Sequence, residues 1–471
     1  MKRLFSLLVL ALLFVPLNAE IRLPSLIGDN MVLQQNANVR IWGWSFPHNT
    51  ITLSATWLNQ SLAVKSDKTG YWEVVVPTPK ADHQSHALLL NDGTPLTVYN
   101  ILMGEVWVTG GQSNMKFPIG GIWDTPCEGG NEAIAQCVRY PEIRCFTVDE
   151  RGDLSPQNDC GGRWEVSTED NVQDWGAVGY FYARALHDNL NVPIGIINSS
   201  FGGTIIEAWM AEEDLKKYDD VDYTPLTDNT KFDFTKPFVR YNSMLYPLTN
   251  YTIRGFLFYQ GCSNVWTAAT YADKLCTMVK RWRKDWRLGD LPFYYVQIAP
   301  FDYGDNVQGA IFREQQQLAQ GRISNSGMIT IYDLCYDDER FNAHPRRKKE
   351  VGERLAYMAL AKTYGKAGIC TSYPEYSSMK VDGDKVYISI DIKDGRGLYP
   401  WTDIKGFELA GADGVFHEAN GFLQLSTREI VLTSPDVMKP VHVRYCFKNF
   451  PFGNVTNLRG LPLLPFRTDK Y

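Results

Sequence analysis

The sequence lacks the residue spacings of a metal-binding or redox protein. Its nine cysteines form no C-x-x-C pair, and none stands in a Cys/His spacing typical of a zinc site. In an oxidising compartment some of them could pair, and the cluster from Cys127 to Cys160 is the best candidate. An odd number leaves at least one thiol free, and the sequence does not determine the connectivity.

Positive charge is also in short supply. The formal net charge is -6, and the two short basic runs, at residues 280–284 and 346–349, are more typical of solvated helix faces than of a binding patch. A nucleic-acid or acidic-membrane partner needs a basic face. We therefore expect no nucleic-acid partner.

Long apolar segments are absent after the first residues of the chain. Lys2 and Arg3 precede an apolar stretch from Leu4 to Val15, and Leu17-Asn18-Ala19 resembles a cleavage site. The stretch is too short to span a bilayer, and no cysteine follows it to carry a lipid anchor. Residues 1–19 are therefore predicted to be a signal peptide. We expect a soluble, secreted or periplasmic protein without membrane insertion.

Aromatic residues, by contrast, are abundant at 13% of the chain. Core packing and β-structure are the commoner reason for such a content. Aromatic rings also stack on the faces of sugars, so the content is compatible with a carbohydrate ligand.

The pattern of strands and helices divides the chain into three regions after the signal peptide. Residues 20–100 contain short β-rich runs between turn residues, which predict a small β-domain of the sandwich type. Residues 101–368 alternate buried-looking strands with helices, which is typical of an α/β domain with a parallel sheet. Residues 369–471 return to β-structure.

The most distinctive local pattern is a strand that runs into a glycine pair and a serine. Residues 106–109 are β-rich, and Gly110-Gly111-Gln112-Ser113 follows them directly. Glycines allow a tight turn that lifts a side chain above the end of a strand. Open α/β sheets place their sites at that edge. Ser113 is thus a candidate nucleophile, although an ordinary helix N-cap is the alternative.

Three further loops follow predicted strands and carry polar groups. Gly203 can present a backbone N–H to an oxyanion, and Asn264 can offer a side-chain amide. His344 can act as a base toward Ser113 and later protonate the leaving alcohol. Each loop alone is more often an ordinary turn. Together the four strand ends supply a nucleophile, two oxyanion donors and a base.

Several motifs around these residues match one family in the same order over nearly the whole mature chain. They are G-E-V-W leading into G-Q-S-N-M, then F-G-G-T-x-x-E-A-W, Y-Q-G-x-S-N and H-P-x-x-K-x-x-V-G-x-R-L-A. The chain resembles the sialate O-acetylesterase family of the SGNH hydrolase group. The resemblance implies a flavodoxin-like, three-layer α/β/α catalytic domain flanked by β-sandwich-like regions.

The resemblance also implies a serine hydrolase acting on O-acetyl esters of sugars, without a metal or organic cofactor. It assigns Ser113 as nucleophile, His344 as base, and the Ser113 amide, Gly203 and Asn264 as oxyanion donors. Relatives often carry Glu where this chain has Cys262, or Asp where it has Asn342. The third catalytic group therefore remains open between Asp337, Asp338 and Glu339, of which Glu339 is favoured, and a Ser-His dyad.

Two other functions are compatible with the sequence. The same site could serve an acetylxylan or other glycan acetylesterase. The replaced carboxylates also allow a non-catalytic carbohydrate-binding protein on an esterase scaffold. A lipase is less compatible, because the sequence has no G-x-S-x-G elbow. The sugar and the oligomeric state cannot be read from the sequence.

Overall fold

The computed structural model describes residues 20–123, 125–228, 230–304 and 306–469. The predicted signal peptide, residues 1–19, lies outside the described residues. Within those ranges, no helix combines the length and the apolar character that crossing a membrane requires.

The first described region is mainly antiparallel β-structure. Its strands are β1 (Val32–Gln34), β2 (Asn38–Trp44), β3 (Thr50–Ala55), β4 (Leu62–Lys65), β5 (Tyr71–Pro77) and β6 (His86–Asn91). β2 pairs with β5, and β3 pairs with both β4 and β6. Buried and exposed residues alternate along β3 and β6, as expected for sheets that face the core on one side.

A single long strand, β7 (Pro95–Gly111), joins this region to the catalytic domain. Its first half pairs antiparallel with β6, and its second half is the central strand of a parallel sheet. β1 also pairs with it in parallel. The boundary expected between residues 100 and 101 therefore lies inside one strand, and no linker separates the two regions.

The central sheet is parallel except at one edge. Its further strands are β8 (Ile143–Thr147), β9 (Arg163–Val166), β10 (Ile194–Ser200), β11 (Gly255–Tyr259), β12 (Phe293–Val296) and β13 (Ser326–Ile329). Their order is β13-β12-β11-β7-β10-β8-β9, and along this order only the edge strand β9 runs antiparallel to its neighbour, β8. The order reverses at β7, so a crevice opens at its carboxyl end, where open α/β sheets bind their ligands.

Helices cover both faces of this sheet. They are α1 (Ser113–Lys116), α2 (Gly130–Gln136), α3 (Glu169–Val172), α4 (Ala177–Leu190), α5 (Glu212–Leu215), α6 (Tyr271–Trp286), α7 (Gln308–Gln320) and α8 (Lys348–Lys362). Successive residues of a strand point to opposite faces. Thr109 of β7 packs toward Gly179 of α4, whereas Gly110 faces Trp282 of α6. The predicted three-layer α/β/α arrangement is confirmed.

Short helical turns connect these elements. The 3₁₀ segments are Cys137–Arg139, Ile206–Trp209, Thr224–Leu226, Asp233–Thr235, Tyr246–Leu248, Cys262–Thr270, Tyr332–Leu334 and Asp337–Glu339, and a π-helical turn spans Tyr241–Leu245. Most of the polar groups predicted to be functional lie in these turns or in the loops beside them.

The C-terminal region is antiparallel β-structure, as predicted. Its strands are β14 (Glu375–Asp382), β15 (Lys385–Asp391), β16 (Leu398–Tyr399), β17 (Phe407–Ala410), β18 (Phe416–Glu418), β19 (Asn420–Gln424), β20 (Glu429–Thr433), β21 (His442–Tyr445), β22 (Thr456–Asn457) and β23 (Phe466–Arg467). They form the sheets β14-β15-β20-β19 and β18-β17-β21-β23 and the pair β16-β22. Most of its buried apolar residues form a core of their own.

The cysteines from Cys127 to Cys160, the best candidates for pairing, are not paired, and all nine cysteines of the described residues are free thiols. Burial raises the pKa of Cys145 to about 12. Cys127 and Cys160 are buried too. These residues act as small apolar side chains in the core.

Candidate active site

Ser113 lies at the crevice because of a tight turn at the end of β7. Gly111 has φ +130°, and a Cβ at this position would come within 2.2 Å of the Tyr259 carbonyl oxygen. The next residue, Gln112, donates its backbone N–H to that carbonyl and accepts from the Gly261 N–H through its side chain. Glycine at position 111 therefore lets β7 end directly against β11, and α1 begins at Ser113.

The structure brings Ser113 and His344 together from positions far apart in the chain. The Ser113 hydroxyl lies 2.7 Å from Nε2 of His344, within hydrogen-bond distance. Both residues are partly exposed. The backbone N–H of His344 donates to the Asn342 side chain at 2.9 Å, which shapes the turn before the imidazole. A serine and a histidine in this geometry can exchange a proton.

The imidazole sits in an environment that disfavours its charged form. Burial, with a smaller contribution from the positive charge of Lys348, lowers the pKa of His344 to about 4. A pKa closer to the unperturbed value of ~6.5 is expected from the sequence. The difference arises because neither the burial of this loop nor the position of Lys348 could be read from local sequence. The imidazole is therefore neutral at ordinary pH and can accept a proton.

Within the described ranges, none of the three candidate acids is hydrogen-bonded to the imidazole. Glu339 is buried, and its carboxylate accepts backbone N–H groups from Tyr336 and Arg346, both at 2.8 Å. Asp338 pairs with the Arg346 guanidinium, and Asp337 is exposed. Glu339, the favoured candidate, thus binds backbone N–H groups on both sides of His344 in the chain and stabilises the loop that carries it.

Cys262 and Asn342 stand where the family resemblance leads us to expect an acid. The Asn342 side chain donates to the Thr125 hydroxyl at 3.0 Å, in addition to accepting from the His344 backbone. Burial raises the pKa of Cys262 to about 11, so its thiol is neutral. Neither side chain is hydrogen-bonded to the imidazole in the part of the chain that the structure describes.

The glycine pair after β10 lies beside the nucleophile. A Cβ on Gly202 would be 3.7 Å from the Cβ of Ser113, and Gly203 adopts φ +74° against the Phe234 ring. Within the described ranges, the backbone N–H groups of Ser113 and Gly203 donate to no other protein group. They are thus available to a ligand, as an oxyanion requires.

The side-chain amide of Asn264, the second predicted oxyanion donor, is hydrogen-bonded to other protein groups at both its nitrogen and its oxygen. Its nitrogen donates to Glu207 at 2.9 Å and to Thr267 at 3.3 Å. Its oxygen accepts from the Ile206 N–H and the Gln260 side chain. The side chain is only 2% exposed. The Asn264 amide therefore joins the Ile206 N–H, the Gln260 side chain and Glu207, and its function as an oxyanion donor stays a prediction.

One residue of the site was missed by the sequence analysis. Trp123 is 90% exposed, and its ring lies edge-on to His344 with 6.2 Å between ring centres. Its φ of +42° is unusual for a bulky residue. The only sequence signal was the general abundance of aromatic residues, because exposure of a tryptophan cannot be read from a short loop.

Some motif residues have structural roles instead. Glu105 of the G-E-V-W motif is buried and accepts hydrogen bonds from Gln35, Arg254 and Tyr364. These hydrogen bonds link β7 to three segments that are distant from it in the sequence. Among the residues described, no group of three or more His, Cys, Asp or Glu side chains could hold a metal ion.

These features define a class of protein. A parallel α/β/α sheet with a serine turn at its switch point, a histidine on a later loop and a glycine pair between them is the architecture of an SGNH-type hydrolase.

Comparison with known proteins identifies the family. The model of the carbohydrate esterase family described as sialic acid-specific acetylesterase matches residues 103–361. A carbohydrate acetylesterase from Xanthomonas citri superposes with a TM-score of 0.85 at 32% identity, covering 96% of this chain and 100% of that one. The human sialate O-acetylesterase is 28% identical over 389 residues, which are 75% of this chain and 73% of the relative. The mouse enzyme is 26% identical, with 75% of each chain covered.

The chain belongs to the sialic acid-specific acetylesterase family of carbohydrate esterases. It is a carboxylic ester hydrolase, and the family supports O-acetyl esters of sugars as its substrates.

Proposed function

We propose that the protein removes acetyl groups from O-acetylated sugars, sialic acids above all, through an acyl-enzyme on Ser113 with His344 as the base. The observation that carries this proposal is the 2.7 Å contact between the Ser113 hydroxyl and Nε2 of His344. The names of the curated relatives, sialate O-acetylesterases, support the choice of substrate.

The first half of the reaction transfers the acetyl group to the enzyme. The Ser113 oxygen attacks the acetyl carbonyl carbon while its proton moves to Nε2 of His344. The negative charge on the carbonyl oxygen is stabilised by the N–H groups of Ser113 and Gly203. The tetrahedral intermediate then collapses, the bond to the sugar oxygen breaks, and His344 returns the proton to that oxygen.

The second half regenerates the free serine. His344 takes a proton from a water molecule as its oxygen attacks the acetyl-Ser113 carbonyl, and the proton then returns to the serine oxygen as the bond to it breaks. Acetic acid leaves and ionises to acetate in solution. Each half of the reaction needs neutral His344 at its start, which the lowered pKa of about 4 supports. No step requires a cofactor.

In this proposal the pair acts as a dyad. The carboxylate of Glu339 contributes by bracing residues 336–346, since it binds the backbone N–H groups of Tyr336 and Arg346. Asn264 contributes by holding the glycine loop through Ile206. Both are positioning residues.

The exposed ring of Trp123 supports a sugar as substrate, because aromatic faces bind the apolar faces of sugars. We also propose that the protein is exported, on the basis of the signal-peptide pattern in residues 1–19. An acetylxylan or other glycan acetylesterase is the second candidate function. The similar structure from Xanthomonas citri supports this second candidate, because it is described as a carbohydrate acetylesterase without a named sugar.

The experiment that tests the substrate is acetate release from a panel of acetylated sugars. The purified protein is incubated with O-acetylated sialic acids, acetylated xylo-oligosaccharides and a simple ester such as ethyl acetate. We expect kcat/KM to be highest for the sialic acids. Higher kcat/KM for the xylo-oligosaccharides would support the second candidate, and no release from any sugar would overturn the proposal.

A further inference from the structure

A buried ammonium group lies directly behind the catalytic pair. Lys348, the first residue of α8, is 1% exposed. Its Nζ donates to the side-chain oxygen of Asn114 at 2.6 Å and lies 4.6 Å from the centre of the Phe117 ring. Within the described ranges it forms no ion pair. A buried, unpaired cation is costly, so its presence beside a reacting histidine calls for an explanation.

Asn114 connects the two halves of the site. It follows Ser113 directly, and its side-chain nitrogen donates to the carbonyl oxygen of Ala343 at 2.8 Å. Ala343 in turn directly precedes His344. One amide side chain therefore links the neighbour of the nucleophile to the neighbour of the base. Lys348 binds the other end of that amide, which fixes its orientation.

The groups that face Lys348 do not cancel its charge. They are the thiols of Cys127, Cys262 and Cys335 and the carboxylate of Glu339. Burial raises the pKa of each thiol, to about 11 for Cys127 and Cys262 and to about 12 for Cys335, so all three are neutral. The Glu339 carboxylate is bonded to the Tyr336 and Arg346 backbone and to the Arg346 guanidinium.

The positive charge therefore acts on His344. Burial is the larger cause of its lowered pKa, and Lys348 is the second. The same burial lowers the pKa of Lys348 to about 8, so the ammonium remains charged across the acid range in which His344 titrates.

We propose that Lys348 and Asn114 are positioning residues of the esterase: the Lys348–Asn114–Ala343 hydrogen bonds hold Ser113 and His344 in register. This inference rests on the proposed Ser113–His344 mechanism. The buried lysine then has an effect on geometry, and its positive charge adds a separable, smaller effect on the protonation of the base.

The two effects can be measured separately through pH profiles of kcat/KM. Lys348→Met keeps most of the side-chain volume and removes the charge and its hydrogen bond. We expect kcat to fall at least about tenfold and the acidic limb of the profile to move up by about one pH unit. Lys349→Met, at the exposed neighbouring position, is the matched control and should leave both unchanged.

Asn114→Ala separates the bridge from the charge. It removes the link to Ala343 while Lys348 remains, so kcat should fall at least about tenfold with the acidic limb unmoved. If Lys348→Met does not fold, as judged by circular dichroism and thermal unfolding, this variant alone decides the bridging role. The inference would be overturned if folded Lys348→Met had the same kcat and the same acidic limb of the pH profile as the parent. Full activity of Asn114→Ala would overturn it too.

The parent enzyme provides the reference for these outcomes. Failure of the parent to release acetate in a Ser113-dependent way would count against the proposed mechanism itself. Normal parent activity with unaffected variants would count against the inference alone.

Discussion

At the scale of single residues, the proposed mechanism depends on the protonation state of one histidine. Nε2 of His344 can accept the Ser113 proton only while it carries no proton of its own. Burial and Lys348 both favour that state. Within residues 20–123, 125–228, 230–304 and 306–469, no carboxylate is hydrogen-bonded to this imidazole.

The first prediction concerns the pH dependence of activity. Because the folded-state pKa of His344 is lowered to about 4, kcat/KM should stay high from neutral pH down to about pH 5 and fall below that. The unfolded chain binds this proton at ~6.5, so His344 should also lower stability as pH falls from ~6.5 toward 4. Initial rates with a sugar ester across this range test the first part. An acidic limb near pH 6.5 would contradict it.

The second prediction concerns Trp123. Because the exposed ring has little role in packing, Trp123→Ala should fold normally and raise KM for an acetylated sugar by about tenfold, the loss of roughly 1.4 kcal/mol of contact energy. Hydrolysis of ethyl acetate, which has no ring to stack, should change little. Trp266→Ala, at another exposed tryptophan, serves for comparison. An unchanged KM for the sugar with Trp123→Ala would remove this residue from the binding site.

At the scale of elements, the loop between β13 and α8 determines where the base lies. Glu339 binds the N–H groups at both ends of residues 336–346, and Asn342 ties the same loop to Thr125. These bonds pair the N–H groups of Tyr336 and Arg346, which lie on either side of the short 3₁₀ turn Asp337–Glu339.

The third prediction tests this brace. Glu339→Gln loses one charged acceptor, so the free energy of unfolding should fall by about 1–3 kcal/mol, whereas Asp338→Asn, on the exposed neighbour, should change it little. The deacetylation rate of Glu339→Gln should fall by about tenfold or less. Both are measured by thermal unfolding and steady-state kinetics. A loss of two to four orders of magnitude in rate would instead assign Glu339 a direct role on the imidazole.

Sequence patterns predict some elements well and others poorly, for physical reasons. The buried strands β11 and β12 are short, continuous apolar and aromatic runs, which are typical of strands in a parallel sheet. The patterns of β8 and β9 are weaker, because Arg144 and Glu165 interrupt their apolar residues. Ser113 and His344 were found because their loops follow recognisable strands. The partners of Glu339 and Asn264 depend on how their loops fold, which local sequence does not determine.

At the scale of the whole molecule, the three expected regions differ in how they join. The N-terminal β-region shares β7 and one hydrophobic core with the catalytic domain. The C-terminal region has its own core, and it contacts α7 and the segment after β13. Buried Arg313 donates to the carbonyls of Lys448 and Asn449, and the Tyr332 hydroxyl donates to that of Leu463. We propose residues 20–368 and 369–471 as the two structural units.

The fourth prediction follows from that contact. Deletion of residues 369–471 would leave Arg313 and Tyr332 without their partners, so the remaining fragment should unfold at least about 10 °C below the full-length protein or aggregate. Differential scanning calorimetry of both proteins measures this. A fragment with an unchanged melting temperature would show that the C-terminal unit contributes nothing to the stability of the catalytic domain.

The central claim is that Ser113 is the nucleophile of a sugar O-acetylesterase, and the most direct measurement is acetate release from an O-acetylated sialic acid by the parent and by Ser113→Ala. Removal of one hydroxyl on a partly exposed residue should leave the thermal unfolding unchanged. The account predicts rapid release by the parent and a loss of several orders of magnitude in kcat for the variant, with no acetyl-enzyme detectable by mass spectrometry. Turnover by folded Ser113→Ala within a few-fold of the parent would contradict it.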